Sequence, residues 1–331
     1  MSAARALSFI ALLLSTPLLL GAASSSVNGD PNAVVISTSD INLFWQVVDQ
    51  AHGNPGADDF KVYFEKGSLG VQGFTKDRLV NPAHLAKVFA RNKSYYFKTR
   101  PNMELVPTQV GRLRDDLRRF KEFFPQAFFP NLYFVIGALN SAGTSVDGVG
   151  AIMGTEMFSK GPNIVQSDAP DDDIKVLQSI DVLAPTAAHE LTHYNQNDTD
   201  TRDLLGSAIH EGSADFISQL ADGNNVNPAE WSFGCAHEAA LWREFQKQMY
   251  SGNGATIGNW LFSYRAGPLG APPFIGYWLG LRIVQSYYDR RSNKQATISA
   301  IMHVRDYGAF LRDSAYPAKR PACRPEPRWK S

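Results

Sequence analysis

The 331-residue chain is 44% hydrophobic and 19% charged, with 32 basic and 32 acidic residues and a formal net charge of +0. That composition supplies a sizeable core and excludes general disorder. Balanced charge without a basic patch gives no footing for nucleic-acid binding.

Residues 1–23 carry Arg5, an apolar run from Ala6 to Leu20, and then Gly21-Ala22-Ala23. A charged start, a hydrophobic stretch and a small-residue end read as a signal peptide cleaved after Ala23. The apolar run is shorter than the ~20 residues that span a bilayer. No cysteine ends this leader, which argues against lipoprotein anchoring, and no later segment is long and apolar enough to cross a membrane. The expectation is an exported protein, periplasmic or secreted, with no stable membrane span after cleavage.

Residues 24–130 read as an N-terminal, mostly helical region. Thr38-Ser39-Asp40 precede Ile41, Phe44, Trp45, Val47 and Val48, the pattern of a capped amphipathic helix. A second helix is predicted over 104–123, ending before Pro125. Its Arg112, Arg114, Arg118 and Arg119 are interleaved with Asp115, Asp116 and Glu122, as on a solvated face. Leu132–Ile136 and Val149–Met153 read as strands, and the intervening Gly143–Gly148 as a turn. That turn lacks the Gly-Lys-Ser/Thr ending of a phosphate-binding loop. The run Asp168–Asp173 lacks the ligand spacing of a calcium loop and reads as a solvated lead-in. Helices predicted at 185–197, 203–221, 235–250 and 276–290 complete an α+β layout.

Chemistry concentrates in His189-Glu190-Leu191-Thr192-His193. Histidines four apart project from one helical face and can reach a single Zn²⁺, with the glutamate beside them. A polar stretch then ends the helix, and a second helix starts after Asp203, a suitable cap. His189 and His193 lie about 12 and 6 Å back from the turn, and Glu211 about 12 Å along the returning helix. Antiparallel helices would therefore bring Glu211 level with the pair as a third ligand. Asp215, one turn on, can accept the second N–H of a ligating histidine. His210 points elsewhere on its helix, where supporting a ligand or packing outweighs ligation. His237 and Tyr277 are candidate donors to an oxyanion, although a residue in either place is more often simply structural.

The motif followed by Glu211-x-x-x-Asp215 resembles the gluzincin arrangement of thermolysin-like metallopeptidases. It is more closely similar to a bacterial family of zinc-dependent proteases labelled as a domain of unknown function. Tyr63–Gly70, Gly276–Gly280 and Phe310–Tyr316 resemble that family too, each only weakly alone. The segment between His193 and Glu211 is slightly shorter than in thermolysin-like enzymes, which implies a different inter-helix turn. The resemblance implies a mainly helical, zincin-like metallopeptidase fold with a small sheet packed on the metal-binding helices. It places the catalytic region at 131–316, followed by a Pro-rich tail at 317–331.

The activity that this resemblance implies is that of a zinc peptidase. His189, His193 and Glu211 would hold Zn²⁺, Glu190 would act as general base, and Tyr277 would steady the oxyanion. The strand at 149–153 would hold an extended peptide or protein substrate by backbone pairing. Two other readings stand beside it. One is a non-peptidase zinc hydrolase. The other is a catalytically weak or inactive zinc-bearing protein of envelope assembly or binding, supported by a looser resemblance to gliding-motility lipoproteins. Cys235 and Cys323 are either a disulfide, as export favours, or two unpaired thiols. Oligomeric state is not indicated.

Overall fold

In the computed structural model, which describes residues 28–161, 177–196, 201–225, 228–263 and 265–323, one sheet lies against a mainly helical body. Among the described residues its strands are β1 (Ile36–Ser37), β2 (Leu132–Val135), β3 (Gly143–Val146) and β4 (Gly150–Gly154), in the order β1-β2-β4-β3. The first two pairings are parallel and the last is antiparallel. Every residue of β2 and β4 is buried, as expected for central strands written in Leu, Phe, Val and Ile.

Helices flank and follow the sheet through the first two thirds of the chain. They are α1 (Ser39–Gln50), α2 (Ala57–Lys66), α3 (Leu69–Phe74), α4 (Pro82–Arg91), α5 (Lys93–Met103), α6 (Val110–Phe123), α7 (Leu183–Asn195), α8 (Leu204–Asp222) and α9 (Pro228–Gln246). The remainder holds α10 (Gly254–Ile257), α11 (Ile275–Asp289), α12 (Lys294–Met302) and α13 (Tyr307–Ser314). The α+β, mainly helical layout is therefore as expected. The leader and the acidic run at 168–173 lie outside the described residues. No helix among the described residues is long and apolar enough to cross a membrane.

α1 buries Ile41, Phe44, Trp45, Val47 and Val48 as its periodicity predicts, but Thr38 makes no side-chain cap bond. Buried Asp40 instead accepts from the Ser68 backbone N–H at 2.9 Å, tying α1 to the start of α3. The segment Gly143–Gly148 departs from expectation. It is not only a turn, because Gly143–Val146 forms the edge strand β3. Asp147 and Gly148 turn the chain into β4, and Gly148 takes the left-handed φ of 74° that such hairpins require. The expected peptide-holding strand at 149–153 is corrected accordingly. β4 is paired on both sides, so its backbone has no free edge.

Two long helices, α8 and α11, cross with their backbones almost touching, because the contact is made by glycines on both. A Cβ on Gly280 would lie 1.7 Å from the Ala208 carbonyl oxygen, and one on Gly212 would lie 2.1 Å from the Leu281 nitrogen.

The tail is fastened from below. Cys235 of α9 is bridged to Cys323, with a Cα–Cα distance of 5.4 Å. Fully buried Arg282 donates to Glu238 at 3.1 Å and to the Pro321 carbonyl. Tyr316 and Arg320 donate to the same Glu238 carboxylate at 3.0 and 2.9 Å. Of the alternatives for the cysteines, the disulfide is the one observed.

A candidate metal centre between two antiparallel helices

α7 and α8 form the antiparallel pair that the ligand spacing requires. Asp203 caps α8 by accepting from the Gly206 N–H at 2.7 Å. The Asn195 side chain closes α7 onto the Phe128 backbone, accepting its N–H and donating to its carbonyl, each at 2.9 Å. At the other end of the pair, Ser218 of α8 donates to the Pro185 carbonyl at 2.5 Å. Arg112 of α6 makes a bidentate pair with Asp222 at the end of α8, at 2.7 and 2.6 Å.

Between these fastenings His189, His193 and Glu211 converge, each offering a ligand atom within 4.8 Å of the others. The two Nε2 atoms are 3.0 Å apart. Glu211 Oε2 lies 3.4 Å from that of His189 and 3.3 Å from that of His193. Their side chains are 8, 22 and 14% exposed in the order His189, His193 and Glu211, so the cluster is nearly dry.

The other ring nitrogens are also engaged. His189 Nδ1 donates to Asp215 Oδ1 at 2.7 Å, the contact anticipated one turn beyond Glu211. His193 Nδ1 meets Gln196 Oε1 at 2.6 Å, a contact that the residue spacing does not announce. With each Nδ1 hydrogen committed outward, the rings when neutral turn two Nε2 lone pairs toward one another and toward a carboxylate oxygen. Three acceptors facing one another in a dry site repel unless a cation lies among them, whether a proton on an imidazole or a metal ion.

Electrostatics point the same way. Burial opposes the charged form of His189, but hydrogen bonds to Asp215 and Glu211 outweigh it and hold the ring well above its ordinary range. His193 is raised for similar reasons, with burial opposed by the Glu211 charge and hydrogen bond. Burial would lift Glu211, yet the two histidines hold it well below the usual carboxylate range. The site favours positive charge.

Glu190 and Tyr277 border the cluster. A Cβ on Gly143 of β3 would lie 3.1–3.2 Å from the Glu190 side chain, so the strand passes directly over this carboxylate. The Tyr277 ring stacks on His189 at 6.0 Å between centroids and 23° between planes. Burial, then the charges of Glu211, Asp215 and Glu190, push its hydroxyl well above 10, so it stays protonated. The His210 ring stacks on His193 at 4.7 Å, which is the packing role expected. His237 is exposed and donates to the Phe233 carbonyl of its own helix, so it has no part in this cluster.

The family described as gliding motility protein GldB matches residues 94–318, well over half of the 331-residue chain. The chain belongs to the GldB family. No curated protein and no solved structure matches it. The matched span contains every residue of the cluster, together with Gln196, Tyr277 and the glycines of the α8–α11 crossing.

Membership in a motility family corrects the zinc-protease resemblance and the peptidase function drawn from it. The hydrolase and metalloprotease assignments fall with them, as do the general-base role of Glu190 and the oxyanion role of Tyr277. The physical reason is that H-E-x-x-H reports where two imidazoles meet on a helix, not turnover at that point. The family is one of lipoproteins by name.

Proposed function

We propose that this GldB-family protein is a zinc-bearing component of the cell envelope that acts in gliding motility through assembly or binding. His189, His193 and Glu211 would hold the zinc. Two imidazoles and one carboxylate suit that ion, and three protein ligands leave it a further coordination position. The observation carrying the proposal is the convergence of three acceptor atoms whose partner groups, Asp215 and Gln196, keep both Nε2 lone pairs directed inward. Within this reading the helix pair and its sheet are a zincin-like scaffold retained to carry metal.

Glu190 has a place in a site that does no chemistry. Its carboxylate adds negative charge beside a divalent ion and fills the space under β3 at Gly143. Bound zinc would lock α7 to α8 and stabilise the surface that they share with α6 and α11, because a site absent from the unfolded chain contributes its binding energy to folding. The partners are other proteins of the envelope, reached after export.

The test is complementation in a gliding bacterium lacking its own GldB-family protein. Wild-type protein should restore colony spreading, and the His189→Ala/His193→Ala double variant, exported to the same level, should not. Full spreading with the double variant would remove the metal from the account.

A further inference from the structure

Asp215 was legible as a partner for one ligand, but the other histidine is held by a residue of different chemistry and position. Gln196 directly follows the last residue of α7. Its Nε2 donates to the His210 carbonyl at 2.9 Å, and its Oε1 lies 2.6 Å from His193 Nδ1. The orientation of this amide is forced. A backbone carbonyl only accepts, so the NH₂ end must face His210 and the oxygen must face the ring. An amide oxygen also only accepts, so His193 Nδ1 must carry a hydrogen. In the neutral, metal-binding form of that ring the lone pair is then on Nε2, aimed at Glu211 and at the Nε2 of His189.

The geometry points to Gln196 as a positioning residue that sets the tautomer and ring direction of His193 for metal binding. This inference rests on the zinc reading of the cluster. One carboxamide performs two tasks: it accepts from the ligand on α7, and it grips the α8 backbone one residue before Glu211. The two ligands are thereby brought together from both sides, as Asp215 does for His189 across the same helix pair. The arrangement is asymmetric, with an anionic acceptor behind one imidazole and a neutral one behind the other.

The two tasks separate in two variants of the full-length mature protein. Gln196→Met has similar length and can neither accept from His193 nor donate to His210. Gln196→Glu keeps the acceptor for the ring and loses the donor to the carbonyl. Zinc affinity is read by chelator competition, ring tautomers by nitrogen-resolved imidazole NMR, and metal-free stability by thermal melting. Wild type should show His193 with its hydrogen on Nδ1. Gln196→Met should bind zinc about 10- to 100-fold more weakly, and Gln196→Glu should keep affinity within about threefold of wild type. Both variants binding like wild type would overturn the assignment. So would equal weakening in both, since the helix tie rather than the ring acceptor would then matter. A wild-type protein that binds no zinc would overturn the metal reading itself, and this inference with it.

Discussion

The closest backbone contact in the site's scaffold offers a direct perturbation. Gly280→Ala adds one methyl group on α11, and that methyl would fall 1.7 Å from the Ala208 carbonyl oxygen of α8. Ordinary contact needs about 3.5 Å, so the helices must separate by roughly 1.5–2 Å or twist apart by as much. Because the obstacle is backbone, no side-chain rotation relieves it. Overpacking of this kind costs about 1–3 kcal/mol. Ala would recover up to about 1 kcal/mol through helix propensity, and the clash outweighs it. The displaced helix α8 carries Glu211 and Asp215, and metal-ligand distances tolerate only about 0.2 Å. Zinc binding should therefore fall together with stability. Gly111→Ala on α6 is the control, since nothing lies within 4 Å of its added methyl. It should be neutral or stabilise by up to about 1 kcal/mol. Urea unfolding of the two variants and wild type measures the difference. Gly280→Ala within about 0.5 kcal/mol of wild type would refute the claim that this crossing sets the site.

Two further outcomes concern buried groups. Burial and the neighbouring charge of Asp222 push Asp116 up to about 7 from 3.8. A folded-state value above the unfolded one means stability present below about pH 4 and lost as pH rises through about 7. Asp116→Asn should flatten that decline and gain at least about 1 kcal/mol over wild type at pH 8, as pH-dependent urea unfolding would show; an unchanged slope would mean that Asp116 is charged when folded. Replacing Cys235 and Cys323 by serine opens a loop whose ends are 88 residues apart, and should cost up to about 4 kcal/mol. The tail near Arg320 should then become sensitive to protease, and unaltered melting and proteolysis would show that the Glu238–Arg282–Tyr316 contacts hold it unaided.

The cluster was legible because its geometry is local. Two histidines one turn apart, a helix break, and two acids one turn apart on the returning helix are all fixed by the 3.6-residue repeat. Gln196 was not legible, since an amide after a helix end follows no period and its role depends on where α8 passes. The edge strand β3 was hidden for a related reason. Gly143-Thr144-Ser145-Val146 is short and polar, and the Asp147-Gly148 that marks its hairpin made the whole stretch read as a turn. α9 begins at Pro228, not near 235, and proline in a first helical turn was the overlooked signal. The functional error had another origin. Ligand spacing encodes affinity for a cation, and nothing in that spacing distinguishes an ion that activates water from one that braces two helices.

X-ray absorption at the zinc edge, on mature protein purified without added metal or chelator, reads directly whether His189, His193 and Glu211 hold zinc. Wild-type protein should carry about one zinc per chain, bound by two imidazole nitrogens and a carboxylate oxygen at about 2.0–2.2 Å, and lost in His193→Ala. A wild-type protein without a zinc edge, or zinc unchanged in His193→Ala, would contradict that ligand set.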